Sequence, residues 1–109
     1  MSKHEYDITT IAGDGIGPEV TREAFKVLKV AEELFGFRLR NTELPLGTDY
    51  YLKHNVIFPE SMFEELKQRR AIYLGAIGDP RVEVGKIEFG IIAKLRFELD
   101  LYINLRPVK

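Results

Sequence analysis

Tyr6-Asp7-Ile8-Thr9-Thr10-Ile11-Ala12-Gly13-Asp14-Gly15-Ile16-Gly17-Pro18-Glu19 is the stretch that decides the fold. Its first half is β-rich, its middle is a glycine cluster, and Pro18 follows where a helix can begin. Proline suits a first helical position because its missing N–H would have no intrahelical partner there. From Pro18 to Phe35 the apolar residues Val20, Ala24, Val27, Leu28, Ala31, Leu34 and Phe35 recur at steps of three and four. That spacing predicts one helix with a buried stripe, and Gly36 is a natural stop. Strand, glycine turn and helix in this order open an α/β protein.

The pattern continues outward from that unit. Phe37 to Pro45 alternates apolar and polar residues and predicts a half-exposed strand. Gly47 to Pro59 is irregular, with a helical turn at Asp49-Tyr50-Tyr51-Leu52. A second helix is expected over Glu60 to Arg69, burying Met62, Phe63 and Leu66. Ala71-Ile72-Tyr73-Leu74-Gly75-Ala76-Ile77 is a continuous apolar run, as in a strand covered on both faces. After the loop Gly78 to Gly85, a third helix spans Ile87 to Leu99 and leads into Leu101 to Arg106, whose strict alternation predicts a last strand. Repeated strand and helix favour an open sheet with flanking helices.

Composition narrows the function classes. With 45% hydrophobic and 30% charged residues, the chain is too apolar for disorder. Its 16 basic and 17 acidic residues nearly cancel, so nothing electrostatic points to nucleic acid or an anionic membrane as partner. The absence of cysteine excludes disulfides, zinc–thiolate sites and thiol catalysis. Met1 to Asp7 lacks the apolar core of a signal peptide, and no apolar run approaches bilayer length. There is no repeat or low-complexity tract. The expectation is a soluble, cytoplasmic protein. Because the chain stops at Arg106-Pro107-Val108-Lys109, directly after a strand, residues 1–109 are expected to be the amino-terminal part of a larger α/β domain.

Three features could carry chemistry. Gly13-Asp14-Gly15-Ile16-Gly17 suggests the dinucleotide fingerprint G-x-G-x-x-G, but the third glycine falls on Pro18 and no ribose-binding acid ends a second strand. The cluster still permits close backbone approach to a ligand at a helix entry, or is simply a turn. Gly75-Ala76-Ile77-Gly78-Asp79-Pro80 places small residues beyond a strand's carboxyl end, where open α/β sheets bind ligands; a plain turn is again the alternative. Arg96 and Arg106 lie on the third helix and the last strand, and two guanidinium groups can grip carboxylates with paired hydrogen bonds. Each arginine alone is more often a solvated side chain. His4 and His54 are far apart and suggest neither a metal pair nor a triad.

Together, Gly13 to Glu19, Gly75 to Gly78, and Leu95-Arg96 through Tyr102-Ile103-Asn104-Leu105-Arg106-Pro107 resemble the amino-terminal part of the isocitrate/isopropylmalate dehydrogenase family, the metal-dependent β-decarboxylating dehydrogenases. The match covers essentially the whole chain, and three motifs in register are far more specific than any one of them. The resemblance implies an isopropylmalate dehydrogenase-like fold in place of a Rossmann domain, which accounts for the failed fingerprint. It implies NAD-dependent oxidation of a malate-type 2-hydroxy acid and loss of the carboxyl group β to the new ketone, with Mg or Mn as Lewis acid. It further implies that Arg96 and Arg106 hold substrate carboxylates, that Ile92 reads the variable arm of the substrate, and that Ile16, Ala76, Ile77, Gly78, Asp79 and Phe89 lie along the cofactor. The full-length form would be a homodimer. The family's catalytic Tyr and Lys, its metal-binding Asp residues and its adenine loop fall beyond position 109, so this piece alone is expected to be inactive.

Two departures bear on the substrate. Gly90-Ile91-Ile92-Ala93-Lys94-Leu95 lacks the Ser or Thr with which isocitrate enzymes hold their extra carboxylate, so Ile92 favours 3-isopropylmalate or another uncharged arm, with Lys94 close by in sequence. The loop Asp79 to Gly85 is closer in style to tartrate/malate-type members. The alternatives are therefore a tartrate/malate or isocitrate dehydrogenase, or a non-catalytic regulatory subunit of the same superfamily. Retention of both arginines argues for the enzyme.

Overall fold

A computed structural model describes residues 4–108; Met1 to Lys3 and Lys109 lie outside the described residues. Three parallel strands form one sheet in the order β2-β1-β3: β1 (His4–Gly13), β2 (Phe37–Glu43) and β3 (Ala71–Ala76). Thr9 of β1 stands opposite Thr42 of β2 and Ile72 of β3, so β1 is hydrogen-bonded on both sides. Its run Ile8-Thr9-Thr10-Ile11 is buried throughout, and β-branched side chains fit that pleated interior. The two buried hydroxyls are satisfied. Thr10 Oγ1 donates to Asn41 Oδ1 (2.6 Å), and Thr9 Oγ1 accepts from Arg69 Nε (3.2 Å).

This arrangement corrects one expectation. The apolar run Ala71–Ala76 is a strand as expected, but it lies at the sheet edge and is only half-buried, with Ala71 exposed. The strand covered on both faces is β1, whose two threonines disguise it in a hydropathy pattern.

Helix α1 (Gly17–Phe35) begins with Pro18 in its first turn and ends at Gly36. Gly36 takes φ +69°, and its N–H donates to the Glu32 carbonyl (3.0 Å), as a C-terminal glycine does. The face it buries is not the whole predicted stripe. Gly17 and Thr21 are buried, and Ala24, Phe25, Leu28 and Ala31 are half-buried. Phe25 meets Tyr73 of β3 edge-on, with ring centroids 5.9 Å apart. Val20, Val27, Leu34 and Phe35, assigned to the stripe from their spacing, are exposed. Apolar residues cover two adjacent stripes of this helix, and a three-stranded sheet covers only one of them.

The opposite face of the sheet carries the main core. Ile11 packs there with Leu44, Leu46, Phe58, Phe63, Leu66, Ile87, Ile91 and Leu95. These come from α2 and α3's surroundings and the last helical rod: α2 spans Thr48–His54 and α3 spans Glu60–Leu66. The expected turn at 49–52 is thus a full short helix, and the expected helix 60–69 stops at Leu66. Beyond it the chain turns back, with Arg70 N–H on the Asp7 carbonyl (2.8 Å), to enter β3. Met62 is half-buried, while Phe63 and Leu66 are fully enclosed as expected.

The third expected helix forms as α4 (Lys86–Glu88), a π-helical segment (Phe89–Ala93) and α5 (Lys94–Glu98) in direct succession. Widened turns of this kind occur where a helix must accommodate a local demand. Here Gly90 packs on Ile57 so closely that a Cβ would come within 2.6 Å of Ile57 Cγ2. Leu101 to Arg106, expected as a strand, has no regular structure, and residues 101–108 are exposed. Alternation alone cannot make a strand: its backbone needs a pairing partner, and this segment pairs with neither of the open sheet edges, β2 and β3. Among the described residues no helix is long and apolar enough to cross a membrane.

Candidate functional site

The chain leaves β1 through α1 to reach β2 on one side, then returns through α2 and α3 to β3 on the other. The turns after β1 and β3 therefore diverge from neighbouring strand ends. Such a divergence is where open α/β sheets place ligands. The two turns are tied together: Asp14 N–H donates to the Ala76 carbonyl (2.6 Å), and Gly78 N–H donates to Asp14 Oδ2 (3.0 Å). A glycine is required at position 13, which takes φ +86° and where a Cβ would collide with the Ala76 carbonyl oxygen. The cluster thus serves close backbone approach between two strand ends.

Five of the residues assigned to the cofactor side gather here. Ile16 is the N-terminal cap of α1 and is 65% exposed. Ala76 ends β3, Ile77 and Gly78 follow half-buried, and Asp79 comes next. Phe89 is 73% exposed at the start of the π-helical segment, directly after Glu88, whose Oε2 lies 3.4 Å from where a Gly78 Cβ would sit. The Asp79 carboxylate is already engaged. Oδ1 accepts from Arg81 N (2.9 Å) and Nε (3.0 Å), and Oδ2 accepts from Arg81 Nη2 (2.9 Å). Arg81 also reaches Asp49 Oδ1 at 2.6 Å. The side-chain and backbone hydrogen bonds from Arg81 hold the Asp79 pKa below its usual value, and the same pair with Asp49 raises that of Arg81.

The substrate-side candidates lie on the last helix and the segment after it. Ile92 and Arg96 are one turn apart and share a face. Both line a cavity of about 290 Å³ with Ile72, Leu74, Leu95 and Asn104. Arg106 does not line it; its Nε donates to Asn104 Oδ1 at 3.0 Å. Lys94, close to Ile92 in sequence, points elsewhere. Its Nζ lies 2.9 Å from Glu98 Oε2, 3.2 Å from Glu60 Oε2 and 4.6 Å from the centre of the Phe63 ring. Its pKa is raised, first by the hydrogen bond to Glu98.

Several features escape sequence reasoning. A second cavity, about 490 Å³, opens at the carboxyl ends of β1 and β2 beside Asp14, Glu43, Gly47 and Asp49. Asp14 lies inside the quoted glycine cluster, yet its partner Thr48 is 34 positions away and nothing local marks it. Among the described residues no three His, Asp or Glu side chains converge as a metal site.

The sequence profile described as isocitrate/isopropylmalate dehydrogenase matches residues 7–109. The 3-isopropylmalate dehydrogenase of Bifidobacterium longum (strain DJO10A) is 50% identical over 105 residues, which are 95% of this chain and 30% of that protein. The enzyme of the same name from Thermobifida fusca is 43% identical over 109 residues, all of this chain and 31% of that protein. The chain therefore spans about 30% of the length of the curated relatives it matches. The crystal structure of a β-decarboxylating dehydrogenase from Thermococcus kodakarensis, in its apo form, superposes with a TM-score of 0.67 at 31% identity, covering 89% of this chain and 27% of that one. The α/β sheet with its flanking helices is thus of the isopropylmalate dehydrogenase-like kind, and the chain belongs to the isocitrate/isopropylmalate dehydrogenase family.

Proposed function

We propose that residues 1–109 form the amino-terminal part of a larger dehydrogenase domain. In the full-length protein that domain oxidises and decarboxylates a malate-type 2-hydroxy acid with an uncharged arm, 3-isopropylmalate being the closest description. The observation that carries this reading, within a family already established, is the cavity shared by apolar Ile92 and cationic Arg96 while Lys94 is held away by Glu60 and Glu98. An arm-reading side chain without charge suits an aliphatic substituent, and burying a third carboxylate against it would be costly.

In this reading Arg96 and Arg106 hold the substrate carboxylates through paired hydrogen bonds, and Ile92 packs on the arm. The residues at the ends of β1 and β3 fit a dinucleotide. Ile16 offers an exposed apolar surface, and Gly78 has no side chain to obstruct an approach beside Glu88. NAD supplies the hydride acceptor when bound; the chain's own part is to seat it and to place the substrate. A divalent ion does not fit the described residues, which offer no converging set of ligands. Its ligands would come from further along the polypeptide. A cytoplasmic homodimer is part of the same proposal.

The test is an absorbance assay of NADH formation by the full-length protein, with Mg or Mn and with 3-isopropylmalate, isocitrate, malate and tartrate in parallel. Highest kcat/KM on 3-isopropylmalate with release of CO2 is expected. Preference for isocitrate, or for NADP, would overturn the corresponding part.

A further inference from the structure

Asp14 is the one ionisable side chain that is buried among the described residues, at 7% exposure. A carboxylate removed from water is tolerated only where donors replace its hydration. Three do so, and none is a cation. Oδ1 accepts from Thr48 N–H at 2.7 Å, while Oδ2 accepts from the Thr48 hydroxyl at 2.9 Å and from Gly78 N–H at 3.0 Å. One side chain therefore joins the turn after β1, the start of α2 and the exit of β3. Its seat is made by Gly47, at φ +145°, where a Cβ would lie 2.7 Å from Oδ1. The segment it fastens is special too: Gly78 takes φ +130°, a conformation that a free loop need not keep.

We propose that Asp14 is a positioning residue for the cofactor: its carboxylate fixes the Gly78 main chain in the shape that seats the dinucleotide, without touching the dinucleotide itself. This rests on the function proposed above. Thr48 holds both carboxylate oxygens, with its N–H on Oδ1 and its hydroxyl on Oδ2, and makes no bond to Gly78 itself. Loss of Thr48's hydroxyl removes one bond and leaves the Asp14–Gly78 bond in place.

The experiment compares Asp14→Ala, Asp14→Asn and Thr48→Ala in the full-length protein, measuring kcat, both KM values and thermal melting. Asp14→Ala is expected to raise KM for NAD by about tenfold, as for the loss of one hydrogen bond to a charged group, with KM for the 2-hydroxy acid within about twofold. Asp14→Asn can keep its oxygen on the Gly78 N–H only by setting its NH2 group against the Thr48 N–H, so it should recover part of the change in KM and still lower the melting temperature. Thr48→Ala should lower the melting temperature and leave KM for NAD unaltered. An unchanged KM for NAD in Asp14→Ala, or an equal rise in Thr48→Ala, would overturn the proposal and make Asp14 a stabilising contact only. If Asp14→Ala does not fold, Asp14→Ser, too short to reach the Gly78 amide, takes its place with the same two outcomes. Wild-type protein that neither binds nor turns over NAD would remove the proposed function and this role with it. A working wild type with an equally working Asp14 variant would remove this role alone.

Discussion

Replacing Arg96 by Lys in the full-length protein separates recognition from stability unusually cleanly. The Arg96 side chain is exposed on α5 and lines the cavity beside Ile92. Among the described residues no hydrogen bond or ion pair engages its guanidinium; the neighbouring ion pairs belong to Lys94. The substitution therefore removes no internal contact, and its stability cost should stay within about 0.5 kcal/mol. Recognition is another matter. Lysine keeps the charge but loses the planar pair of donors that matches a carboxylate. Loss of one charge-assisted bond is worth about 1.5–3 kcal/mol, or roughly tenfold to a hundredfold in kcat/KM for the 2-hydroxy acid. Steady-state kinetics and a thermal melt on the same sample read both quantities, and KM for NAD should hold. Arg106→Lys should behave alike, since its only side-chain bond within the described residues is to exposed Asn104. An unchanged kcat/KM would remove the arginine from the site. Parallel loss of activity and melting temperature would make it structural.

Ile92→Ser should lower kcat/KM for an aliphatic-arm substrate by about 1–3 kcal/mol. Lys94→Met should leave it within about twofold, because Nζ is held by Glu60 and Glu98; a large effect of Lys94→Met would place that ammonium in the site. The Asp79 pKa lies below 3.8 in the folded state, so its clasp with Arg81 contributes above the ordinary carboxylate range and is lost as pH falls through the lowered value. An NMR titration of the Asp79 carboxyl carbon should show that depressed midpoint, and Arg81→Gln should return it towards 3.8. Phe63→Ala should cost about 3–5 kcal/mol in urea unfolding, since Phe63 is 1% exposed and packs edge-on to Phe58. The 109-residue chain by itself should self-associate in sedimentation velocity through the exposed apolar face of Val27, Leu34 and Phe35; a monodisperse monomer with a sharp melt would refute this.

Local chemistry made much of this protein legible from its residues. Strand β1, the glycine turn, the Pro18 start and the Gly36 stop of α1 all follow from backbone preferences acting within a few positions. The helix after Gly85 follows likewise from its apolar spacing, and Ile92 and Arg96 share a face because any helix puts residues four apart together. Family membership rested on motifs whose order and interval survive in the linear chain. The tertiary structure decided what depends on distant neighbours. Only strand order makes threonine-bearing β1 the covered centre and apolar β3 an edge. Only the width of the sheet selects which of α1's two apolar stripes is buried. Leu101 to Arg106 alternates like a strand, but a strand is defined by the backbone beside it, and here none is. Asp14 shows the same division within one residue: its place in the glycine cluster is plain in the sequence. Its partners, Thr48 and Gly78, are 34 and 64 positions away, brought to one carboxylate by the fold alone.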